Sequence, residues 1–203
     1  LSFFQNFFKK NVGKNLGFTG LVGIFILIIY SYISHYFTAH TITHNFIILF
    51  LGLIFFISFY EKIKNKTFLI ILFLLLFISF ISLLIHKNHD DFHYYHFPYS
   101  YYLTQFPVFF GVGQFNHGFR TPSSIFYLNS LFYLPFVKYY TFNISAVLFL
   151  IFSNLILLFE IIQRFKKKNV NYISYLCLLF FIFINIFFYR IQEHGADRSA
   201  QIL

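Results

Sequence analysis

Asp90 and Asp91 are the only adjacent carboxylates in a chain that has six acids in all, and His86, His89, His93 and His96 crowd around them. A carboxylate just outside an apolar run, among Tyr and Phe side chains, can have its pKa raised by partial desolvation or be held ionised by a nearby cation. Either state suits a general base. The histidine spacings of three, four and three would put all four rings on one face of a helix. With Asp90 or Asp91, His89 and His93 could hold a divalent ion, zinc through imidazole or magnesium or manganese through carboxylate oxygen. The spacing is no zinc signature, and histidines that hydrogen-bond at a membrane interface explain the same residues, so the sequence demands no cofactor.

Two further groups could bind a substrate. In FFGVGQFNHGFRTPSS, Gly111, Gly113 and Gly118 read as a tight, backbone-exposed turn. Arg120 is expected at the start of the next helix with His117 close by, where N–H groups and a cation could hold a phosphate. The alternative is that the glycines merely turn the chain and Arg120 anchors the interface. The GxG follows no strand of a βαβ unit, which argues against a dinucleotide site. Near the end, Arg190, Glu193, His194, Asp197 and Arg198 fall within nine residues after an uncharged run. The arginines could face phosphate and the acids position a hydroxyl; otherwise this is a salt-bridged loop of little energetic consequence.

What must position these groups is a membrane domain. The chain is 59% hydrophobic and 10% charged with a mean hydropathy of +0.71, whereas soluble domains carry roughly 25% charged residues. The net charge of +9 does not point to nucleic acid, because ten of the fifteen Lys and Arg form three clusters flanking apolar runs. Lys9, Lys10 and Lys14, then Lys62, Lys64 and Lys66, then Arg164 and Lys166 to Lys168 read as cytoplasmic topology signals. The lone Cys177 rules out an internal disulfide.

These signals predict an all-α polytopic bundle of about five spans, at Gly17–Ile33, Phe46–Tyr60, Thr67–Ile85, Thr141–Ile162 and Tyr172–Tyr189. Residues 86–122 form a loop too long for a simple connector. A helix start at Thr121 to Ser124 leads into a segment interrupted by Pro135, read as interfacial or re-entrant. The expected topology has the N-terminus cytoplasmic and the 86–122 loop external, and all nine histidines then fall outside. Residues 1–203 read as one membrane domain, with 86–140 as external loop and interfacial helix. The absence of Met at position 1 and the ending at Leu203, where an apolar run could resume, suggest the N-terminal part of a longer protein.

The acidic pair in HDDFHYYHFPYS, close to the end of a span, resembles the loop of GT-C glycosyltransferases, the membrane enzymes that include protein O-mannosyltransferases and lipid A aminoarabinose transferases. DDFHYYHFPY, NHGFRTPSSIFYLNSLFYLP and EHGADRSAQIL resemble segments of uncharacterised GT-C-like bacterial membrane proteins. The resemblance covers roughly residues 86–203. It implies transfer of a sugar from a polyprenyl-phosphate donor to an acceptor at the external face of a bacterial inner membrane. It also implies that Asp90 or Asp91 is the base that deprotonates the acceptor hydroxyl. In that class the acidic loop commonly follows the first span; here it follows the third. The phosphate-binding role of Arg120, Arg190 and Arg198 rests on charge alone. Two other classes stay open: a non-enzymatic transporter or flippase component, which would need polar groups within the spans, and a small respiratory-complex membrane subunit, which would need histidines there.

Overall fold

The computed structural model describes residues 15–60, 69–77, 90–120 and 123–187. The described residues are all-α: α1 (Leu16–Phe37), α2 (Ile42–Tyr60), α3 (69–77), α4 (His96–Gln105), α5 (Ser124–Ser130), α6 (Ile144–Lys166) and α7 (Tyr172–Phe187). The only bridge pairing among them is Leu134 with Lys138. Helix occurs in each of the five apolar runs. Leu16–Phe37 and Tyr139–Lys166 are long and apolar enough to cross a membrane, and Ile42–Ser58 and Tyr172–Ile186 are shorter apolar helices. At about 1.5 Å per residue, the 22 residues of α1 reach about 33 Å, enough for a hydrocarbon layer of roughly 30 Å.

The helix ends differ from the expectation. α1 starts at the Asn15 cap, whose side chain accepts from the Gly17 N–H at 3.0 Å. It continues one turn beyond Ile33 to Phe37, and α2 begins at Ile42 rather than Phe46. Only Thr38 to Thr41 connect the two. The apolar pattern fades at Ser34, but the polar residues that follow find partners inside the protein, so the helices need not stop there.

α1 and α6 form the centre of the bundle. Gly17 and Gly20 permit their approach: a Cβ on Gly17 would lie 2.5 Å from the Phe152 carbonyl oxygen, and one on Gly20 would overlap the Phe152 ring. Small residues at such spacing let helix backbones close in, which matters most where no hydrophobic force drives association. Ile24, Leu128, Leu131 and Phe149 form a core between α1, α5 and α6. Val147, Ile151 and Leu155 form a second one with Ile184 of α7, against which Ile71, Leu72 and Leu75 of α3 pack. α6 and α7 are also joined by reciprocal amide bonds between Asn154 and Asn185 of 2.9 and 3.0 Å.

The central loop is a folded cap. A 3-10 turn at Asp90–Phe92 leads into α4, and two more turns at Val112–Gln114 and His117–Phe119 precede α5. α5 begins where the Thr-Pro-Ser-Ser signal predicts, with Ser123 as extended cap residue. It is only seven residues long, and Phe126 to Ser130 are all buried. The segment expected to form an interfacial or re-entrant helix over 125–140 is therefore a short buried helix followed by a turn. Tyr99, Leu103, Phe126 and Tyr127 pack α4 on α5.

Candidate functional site

The cap places Asp91 at the entry to α4. Its backbone carbonyl accepts from the Tyr94 and Tyr95 N–H groups, both at 3.2 Å, and its carboxylate accepts from the Tyr95 hydroxyl at 3.4 Å. Asp90 heads the same 3-10 turn. This strand of the cap is tied to the glycine-rich segment: Asn116 donates to the Tyr94 carbonyl at 2.8 Å, and Gly118 lies so close to Tyr95 that a Cβ there would collide with that side chain. Asp91, His117 and Arg120 thus belong to one folded unit.

Of the four histidines expected on one helix face, only His93 and His96 are described, and they do not share a helix. Residues 93–95 make a turn rather than continuing a helix, so His93 is exposed while His96, first residue of α4, is buried with its ring 5.2 Å from Phe126. His86 and His89 lie outside the described residues. Among the described residues, no three His, Cys, Asp or Glu side chains converge to hold a metal. Arg190, Glu193, His194, Asp197 and Arg198 likewise lie outside the described residues.

Arg120 closes the His117–Phe119 turn rather than opening the next helix. It is exposed and lines a cavity of about 360 Å³. Gly113 lies against the Arg120 backbone, where a Cβ would come within 3.1 Å of its Cα, and Gly111 adopts a left-handed conformation at φ 88°. Other walls come from His35, Tyr99, Tyr127 and the Phe109–Phe110 pair. The cavity is amphiphilic, with aromatic and apolar walls and one cation. Burial pushes the Tyr99 and Tyr127 hydroxyls above the ordinary tyrosine range, so both stay protonated donors. His35 donates from Nε2 to the Phe106 carbonyl at 2.9 Å, leaving Nδ1 as the bare acceptor nitrogen, and Nδ1 is buried without a partner among the described residues. His117 and Asp91 are not among the cavity's walls.

Sequence reasoning does not reach the polar cluster behind this cavity. Ser130 donates to the Tyr127 carbonyl at 2.7 Å, so it must accept from His40 Nδ1–H, also at 2.7 Å. His40 Nε2 is then an acceptor facing the Ser34 hydroxyl at 3.0 Å, whose one proton is shared with the more distant Ser31 carbonyl at 3.3 Å. Asn45 turns its amide nitrogen to the carbonyls of His40, Ser130 and Tyr133 at 2.8 to 3.1 Å. Its oxygen must therefore accept from His44 Nδ1–H at 2.9 Å, and His44 Nε2 accepts from the Tyr30 hydroxyl at 2.9 Å. Burial, with His35 and His44 alongside, lowers the His40 pKa to about 3, so the ring is neutral. The signal for this cluster is the stretch SHYFTAHTITHN, which has three histidines and no Lys or Arg; its placement in helix ends rather than an open loop is what the apolar pattern conceals.

No curated protein and no solved structure matches the chain. A family model described as Domain of unknown function (DUF8201) matches residues 2–203, nearly the whole length, and the chain belongs to that family.

Proposed function

We propose that this chain is the membrane domain of a GT-C-like glycosyltransferase that moves a sugar from a polyprenyl-phosphate donor to a hydroxyl on an acceptor. The acceptor oxygen attacks the anomeric carbon, and the bond from that carbon to the phosphate oxygen breaks. Asp91 or Asp90 takes the hydroxyl proton, and the departing polyprenyl phosphate carries away the electron pair, its charge met by Arg120. The observation that supports this reading is the folded cap itself. Asp91, bonded by Tyr95, stands outside the walls of the cavity of about 360 Å³, but its turn is tied through Tyr94 and Tyr95 to the segment that lines it, and Arg120 is the one cation among the described residues of those aromatic and apolar walls. An amphiphile with an anionic head fits such walls. In this reading the five apolar helical runs are spans of a bacterial inner membrane, and the cap faces outward.

The test uses the full-length protein in membranes with radiolabelled polyprenyl-phosphate sugars. Replacing both Asp90 and Asp91 by Asn should abolish transfer while the protein stays inserted. Undiminished transfer by that variant would sink the mechanism. An arm with a chelator asks separately whether a divalent ion takes part.

A further inference from the structure

Between α5 and α6 the chain forms a finger whose base is pinned and whose tip is bare. The tip closes through the Leu134–Lys138 pairing, with the Lys138 N–H donating to the Leu134 carbonyl at 2.8 Å. At the base, the Tyr133 carbonyl accepts from Asn45 at 3.1 Å, and the Thr141 hydroxyl donates to the Phe132 carbonyl at 2.6 Å. Tyr139 sets its ring edge-on to Phe97, with centroids 5.3 Å apart. The finger is therefore held in one orientation, and Phe136 at its end is 99% exposed.

One exposed phenylalanine decides nothing by itself, since scattered surface apolar residues are ordinary. The backbone adds a second observation. Phe136 and Lys138 have φ of 69° and 45°, a region in which side chains are strained and glycine is the usual occupant. The turn carries a phenylalanine and a lysine in place of the residues that would relax it.

Location says what covers the tip. Tyr139, directly after Lys138, opens the apolar stretch Tyr139–Lys166. On the other side, Leu131, Phe132 and Leu134 share a groove with Ile48, Leu49 and Leu53 of α2, a helix whose outer face is exposed and apolar through Phe46, Phe50 and Ile57. The finger thus runs alongside α2 for about two turns below Asn45, at the level where a bilayer would begin. Its composition is that of a membrane boundary: an apolar tip of Phe136 and Val137, then Lys138, whose stem can lie along lipid while its amine reaches water, then Tyr139 and Tyr140.

We propose that Phe136 and Val137 insert into the acyl–headgroup boundary of a lipid bilayer, fixing the depth and tilt of the cap over the helices. The partner is the lipid surface, not a second protein. This proposal rests on the membrane location argued above, and the experiment separates the two.

The chain contains no Trp, so single substitutions give unambiguous reporters. Phe136→Trp and, as control, Phe25→Trp on the exposed face of α1 are purified as the full chain and reconstituted into phosphatidylcholine vesicles. The vesicles carry bromine either near the glycerol end or near the tail end of the acyl chains. The expected result is blue-shifted emission from both reporters, Phe136→Trp losing most intensity to shallow bromine and Phe25→Trp to deep bromine. If Phe25→Trp is quenched by bromine while Phe136→Trp stays red-shifted and open to aqueous iodide, the finger does not insert. If Phe136→Trp is shielded from both iodide and bromine, a protein partner covers it, which also overturns the proposal. If bromine quenches neither reporter, the membrane reading itself fails.

Discussion

His40 should make the stability of the fold fall in mild acid, because its ring is buried and neutral in the folded chain. Burial, and then the neighbouring His35 and His44 rings, lower its pKa from 6.5 to about 3, against a weaker opposing pull from the Ser31 carbonyl. In the unfolded chain the ring takes a proton below its ordinary pKa; in the folded chain both ring nitrogens are committed, Nδ1–H to Ser130 and Nε2 to Ser34. Between those two pKa values the unfolded state binds more protons, so stability is complete above pH 6.5 and is lost as pH falls toward about 3. For one such group the loss at about pH 5 is about 2 kcal/mol relative to neutral pH. The assay is thermal unfolding in detergent micelles, followed by near-ultraviolet circular dichroism across that range, for wild type and His40→Gln. Glutamine keeps a donor and an acceptor but does not titrate, so the variant starts less stable and falls less steeply. Parallel stability curves for the two proteins would refute the assignment of His40 as a neutral, doubly bonded ring.

Two substitutions test the packing. Gly17→Val drives side-chain atoms into the backbone of α6 at Phe152 and Ile156 and should lower stability by about 1–3 kcal/mol, whereas Gly23→Ala, which faces open space, should be neutral or stabilise by about 0.5–1 kcal/mol; melting temperatures distinguish them. Gly118→Val should separate the glycine-rich segment from Tyr95 and expose residues 90–120 to limited proteolysis while leaving α6 and α7 protected.

The helical architecture was largely legible, because continuous Phe, Leu and Ile runs bounded by Lys clusters have few other solutions. The boundaries at Ser34 to Asn45 were not. A polar residue ends an apolar pattern whether it faces water or a buried partner, and only the fold shows that Ser34, His40 and Asn45 are satisfied internally. The cap was legible as a place but not as a shape. The spacing of His86 to His96 fits a helix, yet residues 93–95 turn, because Tyr95 must pack on Gly118 while Asn116 holds the Tyr94 carbonyl. Arg120 was found from its charge. Its companions His35, Tyr99 and Tyr127 come from three separate helices, and no local pattern connects them.

The orientation of the two histidine chains has a consequence for proton movement. Both begin at a hydroxyl of α1, Tyr30 or Ser34, pass through an imidazole, and finish at acceptors that cannot hand a proton on. One ends at the Tyr127 carbonyl and the other at the amide of Asn45, which itself serves three carbonyls. A proton hopping along either chain would need a terminal group able to release one, and a peptide carbonyl is not such a group. Buried chains of polar side chains often mark a conduit for ions, but these two chains are closed at their far ends. They fasten the α1–α2 connection to α5, and a carrier that moves protons across the membrane would have to route them elsewhere.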